Sequence, residues 1–512
     1  MFKLPSVHLC IMQPGGYVHS LGFLDPAQYF RHQFRRMGAQ VTMSKNRLRH
    51  DAVNFVFGAH LGFDAALRER YDCIFVNLEQ LGEGGAQVSE SYLRLLAGSA
   101  VVDYDARNVP SYSTQAADVP VVPFWFAPYL RPEMALPLAD RPIDLLFIGS
   151  MNERRKAMLD RVQAQGVTVS QFDSPLYGPE RDHFILQSKA VFNTHFYATS
   201  RFEQARVSHC LSLGTPVISE RSALTGPDAA FENSVLWVEE AELDTYFAQR
   251  FGQPAFYEQA ARCLDNFTQH DPVEPYADLL AFAAGYSKTR REQRGAAAWQ
   301  PTQINLGSGK DYKLGWLNLD ILDRSQPDVV LDLGRPVSFP VRFDSPLVGP
   351  VELAPGSVSL VYANNVLEHV PDLPQLMTNC LQLLKTGGIM HLEVPYEHAT
   401  TAWQDPTHVR ALNENSWLYY TDWFWYLGWF EHRFSAQNST YLDAALQPCE
   451  KNQAAFMRVV LVKVQTTPQE RMTARVMRPD FALPDDSGLV QSLRPQRTTI
   501  ARLASVTAVS PL

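Results

Sequence analysis

The stretch Gln303–Asp320, QINLGSGKDYKLGWLNLD, constrains the fold of this 512-residue chain more than any other. An apolar, strand-like run breaks at Gly307-Ser308-Gly309, and a second short run ends on the acid Asp320. Aliphatic residues ahead of the glycines suit a buried strand, and two glycines let backbone N–H groups approach a ligand with no Cβ in the way. Asp320 then stands at the tip of the neighbouring strand, where a carboxylate can accept both hydroxyls of a ribose. Only a handful of residues separate Gly309 from the second run at Trp316. That is too few for a full crossover helix, so the first helix of such a unit is shortened or missing.

The pattern continues downstream. Asp328–Asp332 reads as a third strand ending on an acid, Val358–Ala363 as a fourth running into Asn364-Asn365-Val366-Leu367-Glu368-His369, and Leu373–Leu384 as a helix. A turn at Lys385-Thr386-Gly387-Gly388 leads into a fifth strand, Ile389–Val394. Strand, turn and helix alternate in a doubly wound α/β order, and ligands in such sheets sit at the carboxyl ends of the strands. Every candidate contact above lies at such an end.

INLGSG, GWLNLD, VLDLG, NVLEHV, LLKTGGIMHLEVP and DPTHVR occur in that order. Together they resemble the class I S-adenosylmethionine-dependent methyltransferases, particularly the type-11-like bacterial branch, over about residues 300 to 465. The resemblance implies a Rossmann-like domain that binds S-adenosyl-L-methionine. It puts the Gly307-Ser308-Gly309 loop against the methionine part of the cofactor, Asp320 on the ribose, Asp332 near the adenine and Asn365 below the donor. The chain departs from the common pattern at Asn305, where many members have an acid, and at Asp311, which replaces a third glycine.

Methyl transfer asks little of a protein, because the sulfonium is already activated. The enzyme must align acceptor, methyl and sulfur, exclude water, and take a proton if the acceptor is a hydroxyl. Histidine suits the last task. The candidates are His369 and His408, with Asp405 as a group that could orient His408. A metal is the rival explanation, with His391, His398, Asp405 and His408 within a short span, but their spacing matches no ligand motif and no metal is assigned. The aromatic run Trp417–Trp429 reads as a buried helix capped near Asn415 or Ser416, with one or two rings free to line an acceptor pocket.

A chain of 512 residues exceeds what one hydrophobic core serves. A net charge of −9 argues against nucleic acid as a partner. No leader-like segment and no apolar span of membrane length is visible, so the expected location is cytoplasmic. The six cysteines show no CxxC spacing and indicate neither a disulfide framework nor a zinc site. Nothing in the sequence bears on oligomeric state.

The first 285 residues read as two further α/β units. His8–Met12, Val53–Phe57, Cys73–Asn77 and Ala100–Val102 are strand-like, with a helix over Ala27–Met37. Ile143–Ile148 opens the second unit, breaks at Gly149-Ser150 and enters a helix through Arg154 and Arg155. Strands follow at Val167–Val169, Ala190–Phe192 and Pro216–Ser219, with a helix around Glu203–Leu213. FIGSMNERR, YGPERDHFILQSKAVFNTHFY and RFEQARVSHCLSLGTPVISE resemble the donor-binding half of GT-B glycosyltransferases, and VNLEQL with VVDYDARNV resembles their acceptor half. The expected fold is thus α/β throughout, two tandem Rossmann-like units followed by a Rossmann-like methyltransferase domain. Its boundaries are 1–130 (acceptor unit), 131–286 (donor-binding unit), 287–300 (linker or bridging helix), 301–465 (methyltransferase) and 466–512 (loosely ordered tail).

Gly149-Ser150 at a helix N-terminus is a natural anion site, and Arg154 or Arg155 one turn in could fork onto a diphosphate. Tyr177, Arg181 and Asn193–His195 lie on nearby loops, and His195 and His60 are the candidate bases. The position that the resemblance assigns to a ribose-binding glutamate holds His209. Glu203 and Glu220 lie close, and Glu203 could reach a ribose from the same helix. These readings lead to a two-enzyme fusion in which a nucleotide-sugar-dependent transferase is joined to a methyltransferase acting on a hydroxyl of the same glycan. The alternatives are a methyltransferase with a non-catalytic glycan- or partner-recognition module, and a cofactor-binding regulatory protein without turnover.

Overall fold

The computed structural model describes residues 5–114, 118–172, 174–197, 201–295 and 297–477. The chain divides into two compact units, Met1–Ala296 and Ala297–Leu512. Both are α/β with largely parallel sheets.

The N-terminal unit holds two five-stranded sheets. The first contains β1 (Val7–Ile11), β2 (Val41–Lys45), β3 (Val53–Phe57), β4 (Asp72–Asn77) and β5 (Ala100–Asp103) in the order β2-β1-β3-β4-β5. All are parallel. Strands β1, β3 and β4 are buried along their whole length, as a sheet covered on both faces requires. One cover is α1 (Leu24–Arg36), whose Phe30 and Phe34 meet Phe55 and Phe57 edge-on or tilted at 5.0–6.1 Å. Another is α2 (Glu90–Ala97), started by Ser89, whose hydroxyl accepts from the Tyr92 amide at 3.2 Å.

The second sheet contains β6 (Ile143–Phe147), β7 (Val169–Ser170), β8 (Ser188–Asn193), β9 (Val217–Arg221) and β10 (Leu236–Glu239) in the order β10-β9-β8-β6-β7, again parallel. Helices α3 (Glu153–Ala164), α4 (Pro179–Leu186), α5 (Gln204–Ser212), α6 (Ala229–Glu232), α7 (Leu243–Gln249) and α8 (Pro254–Phe267) accompany it. The last helix, α9 (Val273–Gln293), returns to the first sheet. Its Tyr276, Leu279, Leu280 and Ala283 recur at helical spacing and join the core built around Phe30, Phe34 and Phe55. Ser287 donates to Asp72 Oδ2 at 3.0 Å. The start of the expected 287–300 linker is therefore the end of a packed helix, and the first sheet's core draws on residues well past 130.

In the C-terminal unit seven strands run β13-β12-β11-β16-β17-β19-β18. They are β11 (Gln303–Leu306), β12 (Leu317–Asp320), β13 (Val329–Val330), β16 (Val358–Asn364), β17 (Leu384–Pro395), β18 (His432–Leu442) and β19 (Phe456–Gln465). The first five in that order are parallel, and β19 runs antiparallel to both neighbours. A separate hairpin pairs β14 (Val341–Ser345) with β15 (Gly349–Leu353), and α10 (Leu373–Leu383) connects β16 to β17.

Three local expectations need correction. The third strand shrinks to two residues. The Lys385–Gly388 turn lies inside β17, where Gly387 takes φ +80° and the register to β16 shifts. The aromatic run forms two 3₁₀ turns, Glu414–Tyr420 and Phe424–Leu427, instead of one α-helix. Asn413 caps the first turn, with Ser416 completing the capping box. A helix apolar all round would have to bury every face. The chain instead breaks at Thr421, burying Trp417, Tyr420, Phe424 and Trp429 while Tyr419, Trp423 and Tyr426 stay exposed. The tail begins with α11 (Pro468–Val476), capped by Thr467, and Glu470 accepts from Arg433 at 2.6 Å. Residues 478–512 lie outside the described residues. All six cysteines are free.

Candidate functional site

Within the C-terminal unit the glycine loop follows β11, and no helix intervenes before β12 among the described residues. Side-chain hydrogen bonds hold the abbreviated connection instead. Asn305 Nδ2 donates to the Asp311 carbonyl (2.6 Å) and to Asn318 Oδ1 (3.0 Å), and Asn318 Oδ1 also accepts from the Lys313 amide at 2.8 Å. Asp328 accepts from Tyr312 OH at 2.7 Å and from Asn318 at 2.8 Å. An amide at Asn305 serves a connection that needs donors, so this departure from the family pattern belongs to the short loop. Asn318 and Asp328 escaped the sequence reading because their partners are set by loop closure alone.

Gly307 has φ +61° and Gly309 φ +48°. A Cβ on Gly307 would overlap the Val366 side chain, so the loop after β11 sits tight against the segment after β16. The Gly309 amide donates to Asp320 Oδ2 (2.9 Å) and the Leu322 amide to Asp320 Oδ1 (2.8 Å). A carboxylate offers about four lone-pair positions, so two remain for outside donors such as a ribose diol. Ser308 is buried and its hydroxyl has no partner, and neither has Asn364 Oδ1 at the end of β16. Unpaired buried polar atoms at two neighbouring strand ends fit a polar ligand there. Asp332 accepts from the Gly334 amide (2.8 Å) and pairs with Arg335 (3.1 Å). Asn365 adopts φ +53°, its amide bound to the Glu393 carbonyl at 2.9 Å.

Three residues later the chain reaches Glu368, which is 1 % exposed and has no hydrogen-bond partner for either carboxylate oxygen. Burial pushes its carboxyl up to about 7. His408 Nε2 lies 4.0 Å from Glu368 Oε1, and the rings of His369 and His408 meet edge-on at 4.6 Å. His408 Nδ1 donates to the Ala402 carbonyl at 2.9 Å. Asp405 does not orient His408. It accepts from the Thr407 amide (2.8 Å) and hydroxyl (2.6 Å), bonds that hold its carboxyl below the usual range, and the Thr407 oxygen accepts from His369 Nδ1 at 2.9 Å. Thr407 thus links Asp405 to His369. The four residues weighed as metal ligands do not assemble: His391 packs on Tyr362 within β17, and His398 is exposed beside Glu397. Among the described residues the group that does converge is Glu368, His369 and His408.

In the N-terminal unit a cavity of about 930 Å³ opens at the carboxyl ends of both sheets. Its walls include Glu79 and Gln80 after β4, Tyr104 after β5, Gly149 and Ser150 after β6, and Phe172 after β7, together with Tyr177, Arg181, Glu203 and His209. Arg155 lines the cavity and Arg154 does not. Consecutive helical residues point about 100° apart, and Arg154 turns to buried Glu220, donating to Oε2 at 2.9 Å. Burial would raise the Glu220 carboxyl, but Arg154, the His195 amide and Thr194 together hold it low.

Arg155 is itself occupied, donating to the carbonyls of Thr194 (3.0 Å) and Ser150 (2.8 Å) and to Glu203 (3.2 Å). Burial lowers its pKa to about 10. Glu203 also pairs with Arg206, and Arg181 with Asp25 and Asp182, both at 2.6 Å. His209 bonds Asp182 Oδ1 at 2.8 Å. His195 is fully buried against Thr225, and burial lowers its pKa. His60 packs between Phe23 and Tyr92. Neither lines the cavity, so neither expected base faces it.

Residues 269–447 match the family model described as a methyltransferase domain, a match that begins in the loop before α9. An uncharacterized protein, L140, of Acanthamoeba polyphaga mimivirus is 26% identical over 165 residues, covering 30% of this chain. The chain spans about half the length of that curated relative, 51%. Among solved structures, HepE of Anabaena in complex with UDP-glucose is 12% identical, with 54% of this chain and 98% of that one covered and a TM-score of 0.38. A S-adenosylmethionine-dependent methyltransferase from Mesorhizobium loti is 15% identical, with 34% and 94% covered and a TM-score of 0.20. The methyltransferase-domain match is confined to residues 269–447. No described helix is long and apolar enough to cross a membrane.

Proposed function

We propose that the chain methylates a hydroxyl of a glycan, using S-adenosyl-L-methionine bound along the carboxyl ends of β11, β12 and β16. The observation that carries this reading is the convergence of the glycine loop, the half-free Asp320 carboxylate and the orphan Ser308 hydroxyl beside the segment that follows β16. The cofactor supplies an activated methyl on a sulfonium. Asp320 takes the ribose hydroxyls, the Gly307–Gly309 loop holds the amino-acid end, and Asp332 faces the adenine. Asn365, in a left-handed conformation, turns the chain so that the Glu368–His369 segment follows directly on the pocket. Both imidazoles there keep Nδ1–H bonded within the protein, leaving Nε2 of each as a lone pair for the acceptor side.

The N-terminal unit supplies the substrate class. Its cavity, with Gly149-Ser150 ahead of α3, suits a nucleotide sugar, and transfer followed by methylation on one chain would raise the local concentration of the intermediate. A second reading, recognition of a glycan without transfer, is favoured by one specific observation. The guanidinium groups meant for a diphosphate, Arg154 and Arg155, are already engaged by Glu220, Glu203 and backbone carbonyls.

The test is release of S-adenosylhomocysteine by the full chain supplied with S-adenosylmethionine and bacterial surface glycans. Turnover that falls at least tenfold in Asp320→Ala supports the reading. No release with any glycan, or release undiminished in Asp320→Ala, overturns it. Saturable binding of a UDP-, GDP- or dTDP-sugar that Arg155→Ala abolishes selects transfer, and its absence selects recognition.

A further inference from the structure

Glu368, His369 and His408 place three ligand atoms within 4.8 Å of one another at the end of β16. The hydrogen bonds around them decide which lone pairs stay free. The His408 Nδ1–H is spent on the Ala402 carbonyl. The Thr407 hydroxyl gives its proton to Asp405, so its oxygen accepts from His369 Nδ1–H and that ring too is left with a bare Nε2. Hydrogen bonding at Nδ1 is how proteins fix the tautomer and aim of a metal-ligating histidine. The third member, Glu368, is 1 % exposed with both oxygens unpartnered, a buried group that calls for a positive counterpart.

From this juxtaposition we infer a site for a divalent first-row transition-metal ion, held by the Glu368 carboxylate and the Nε2 atoms of His369 and His408. Two imidazoles and one carboxylate suit such an ion better than magnesium or calcium, which prefer all-oxygen shells. Metal–ligand bonds of about 2.0–2.2 Å put ligand atoms roughly 3 to 3.5 Å apart, so the trio closes by about an ångström through side-chain rotation. Three protein ligands leave positions for an oxygen of the acceptor, whose hydroxyl a bound cation would acidify. That role deepens the methylation reading and rests on it, whereas the cation site itself stands on the cluster.

The experiment uses the full chain stripped with a chelator and titrated with Mn²⁺, Zn²⁺ and Co²⁺ by calorimetry, with the visible spectrum of the Co²⁺ form as a second readout. One cation per chain is expected, with ligand-field bands for Co²⁺ and a thermal midpoint raised by the ion. Glu368→Gln and His408→Gln should lose at least a hundredfold in affinity. Thr407→Val, which removes the acceptor for His369 Nδ1–H without contacting the ion, should lose about tenfold, as outer-shell partners do. Exposed His398→Gln serves as the neighbouring control and should bind as the parent does. Absence of saturable binding, or equal binding by Glu368→Gln and the parent, overturns the site and leaves Glu368 a protonated buried acid. If the ligand variants do not fold, the Thr407→Val and parent titrations decide alone. S-adenosylmethionine binding to the stripped chain separates the two claims: cofactor bound without a cation site sinks only this inference, and a cation bound without cofactor sinks only the methylation reading.

Discussion

The arginine-rich wall of the N-terminal cavity and the Glu368 cluster of the C-terminal unit are both buried, both polar and both at the carboxyl ends of parallel strands. They differ in how far the protein satisfies itself. Around Arg155 every charge has an internal answer: Arg154 with Glu220, Arg155 and Arg206 with Glu203, Arg181 with Asp25 and Asp182. Around Glu368 no hydrogen bond answers, and the nearest imidazole, His408, stands 4.0 Å away with its Nδ1 bonded elsewhere. A ligand entering the first site must break ion pairs to bind. One entering the second completes a set. Buried polar groups without partners are expensive to maintain, so the second arrangement points to something that binds there, and the first is compatible with a scaffold.

The sharpest way to break this contrast is to remove one partner from the satisfied side. Glu220 accepts from Arg154, Thr194 and the His195 amide, and Glu220→Gln should cost about 3 kcal/mol, because it leaves the partly buried Arg154 only the more distant, exposed Glu240 as counter-charge. Denaturant unfolding of the N-terminal unit reads the loss.

A second satisfied site, His8, sharpens the same point through pH. Its ring contacts Thr42 (2.7 Å), Ser44 (2.9 Å) and the Arg47 carbonyl (3.1 Å), and burial lowers its pKa to about 4. The fold keeps the ring neutral. Above pH 6.5 its contribution is complete. As pH falls from 6.5 to 4 the unfolded chain takes up a proton that the folded chain refuses, and up to about 3 kcal/mol is lost, with no further loss below 4. A stability–pH series on the parent and on His8→Gln, which should lack that slope, checks it.

Gly307→Ala tests the loop that borders the open side. With φ +61° and Val366 in the way, it should cost about 2 kcal/mol and weaken S-adenosylmethionine binding more than it weakens the fold. The smallest effect is the most diagnostic. In metal-free protein Glu368→Gln should leave stability unchanged or raise it by about 1 kcal/mol, since it replaces a buried carboxyl that has no hydrogen-bond partner. A loss comparable to that of Glu220→Gln would erase the difference between the two regions.

Much of this was legible in the sequence because it depends on local pattern. The strand breaks before Gly307 and Gly149, the strand ending on Asp320, the missing first helix and the tight turn at Gly307 follow from apolar runs, glycines and spacing. What was not legible depends on which way a side chain faces after folding. Arg154 and Arg155 are indistinguishable in sequence, yet one turns to Glu220 and the other into the cavity. Nothing local in the sequence marks Glu368 as buried. Only the return of the 402–409 segment, with the Val409 amide bound to the Glu368 carbonyl at 2.8 Å, encloses it. Asp405 stands near His408 in sequence and could orient it, but in the fold its carboxylate accepts from Thr407. The α9 stripe drew no reading, since its place on the first sheet depends on packing against residues more than 200 positions away.

The central claim is that the C-terminal unit binds S-adenosylmethionine through the β11 loop and Asp320. Calorimetric titration of the full chain with S-adenosylmethionine tests it most directly. The account predicts saturable binding with one ligand per chain, at least tenfold weaker in Asp320→Ala and unchanged in Glu203→Gln. No binding, or equal affinity in the parent and Asp320→Ala, would contradict it.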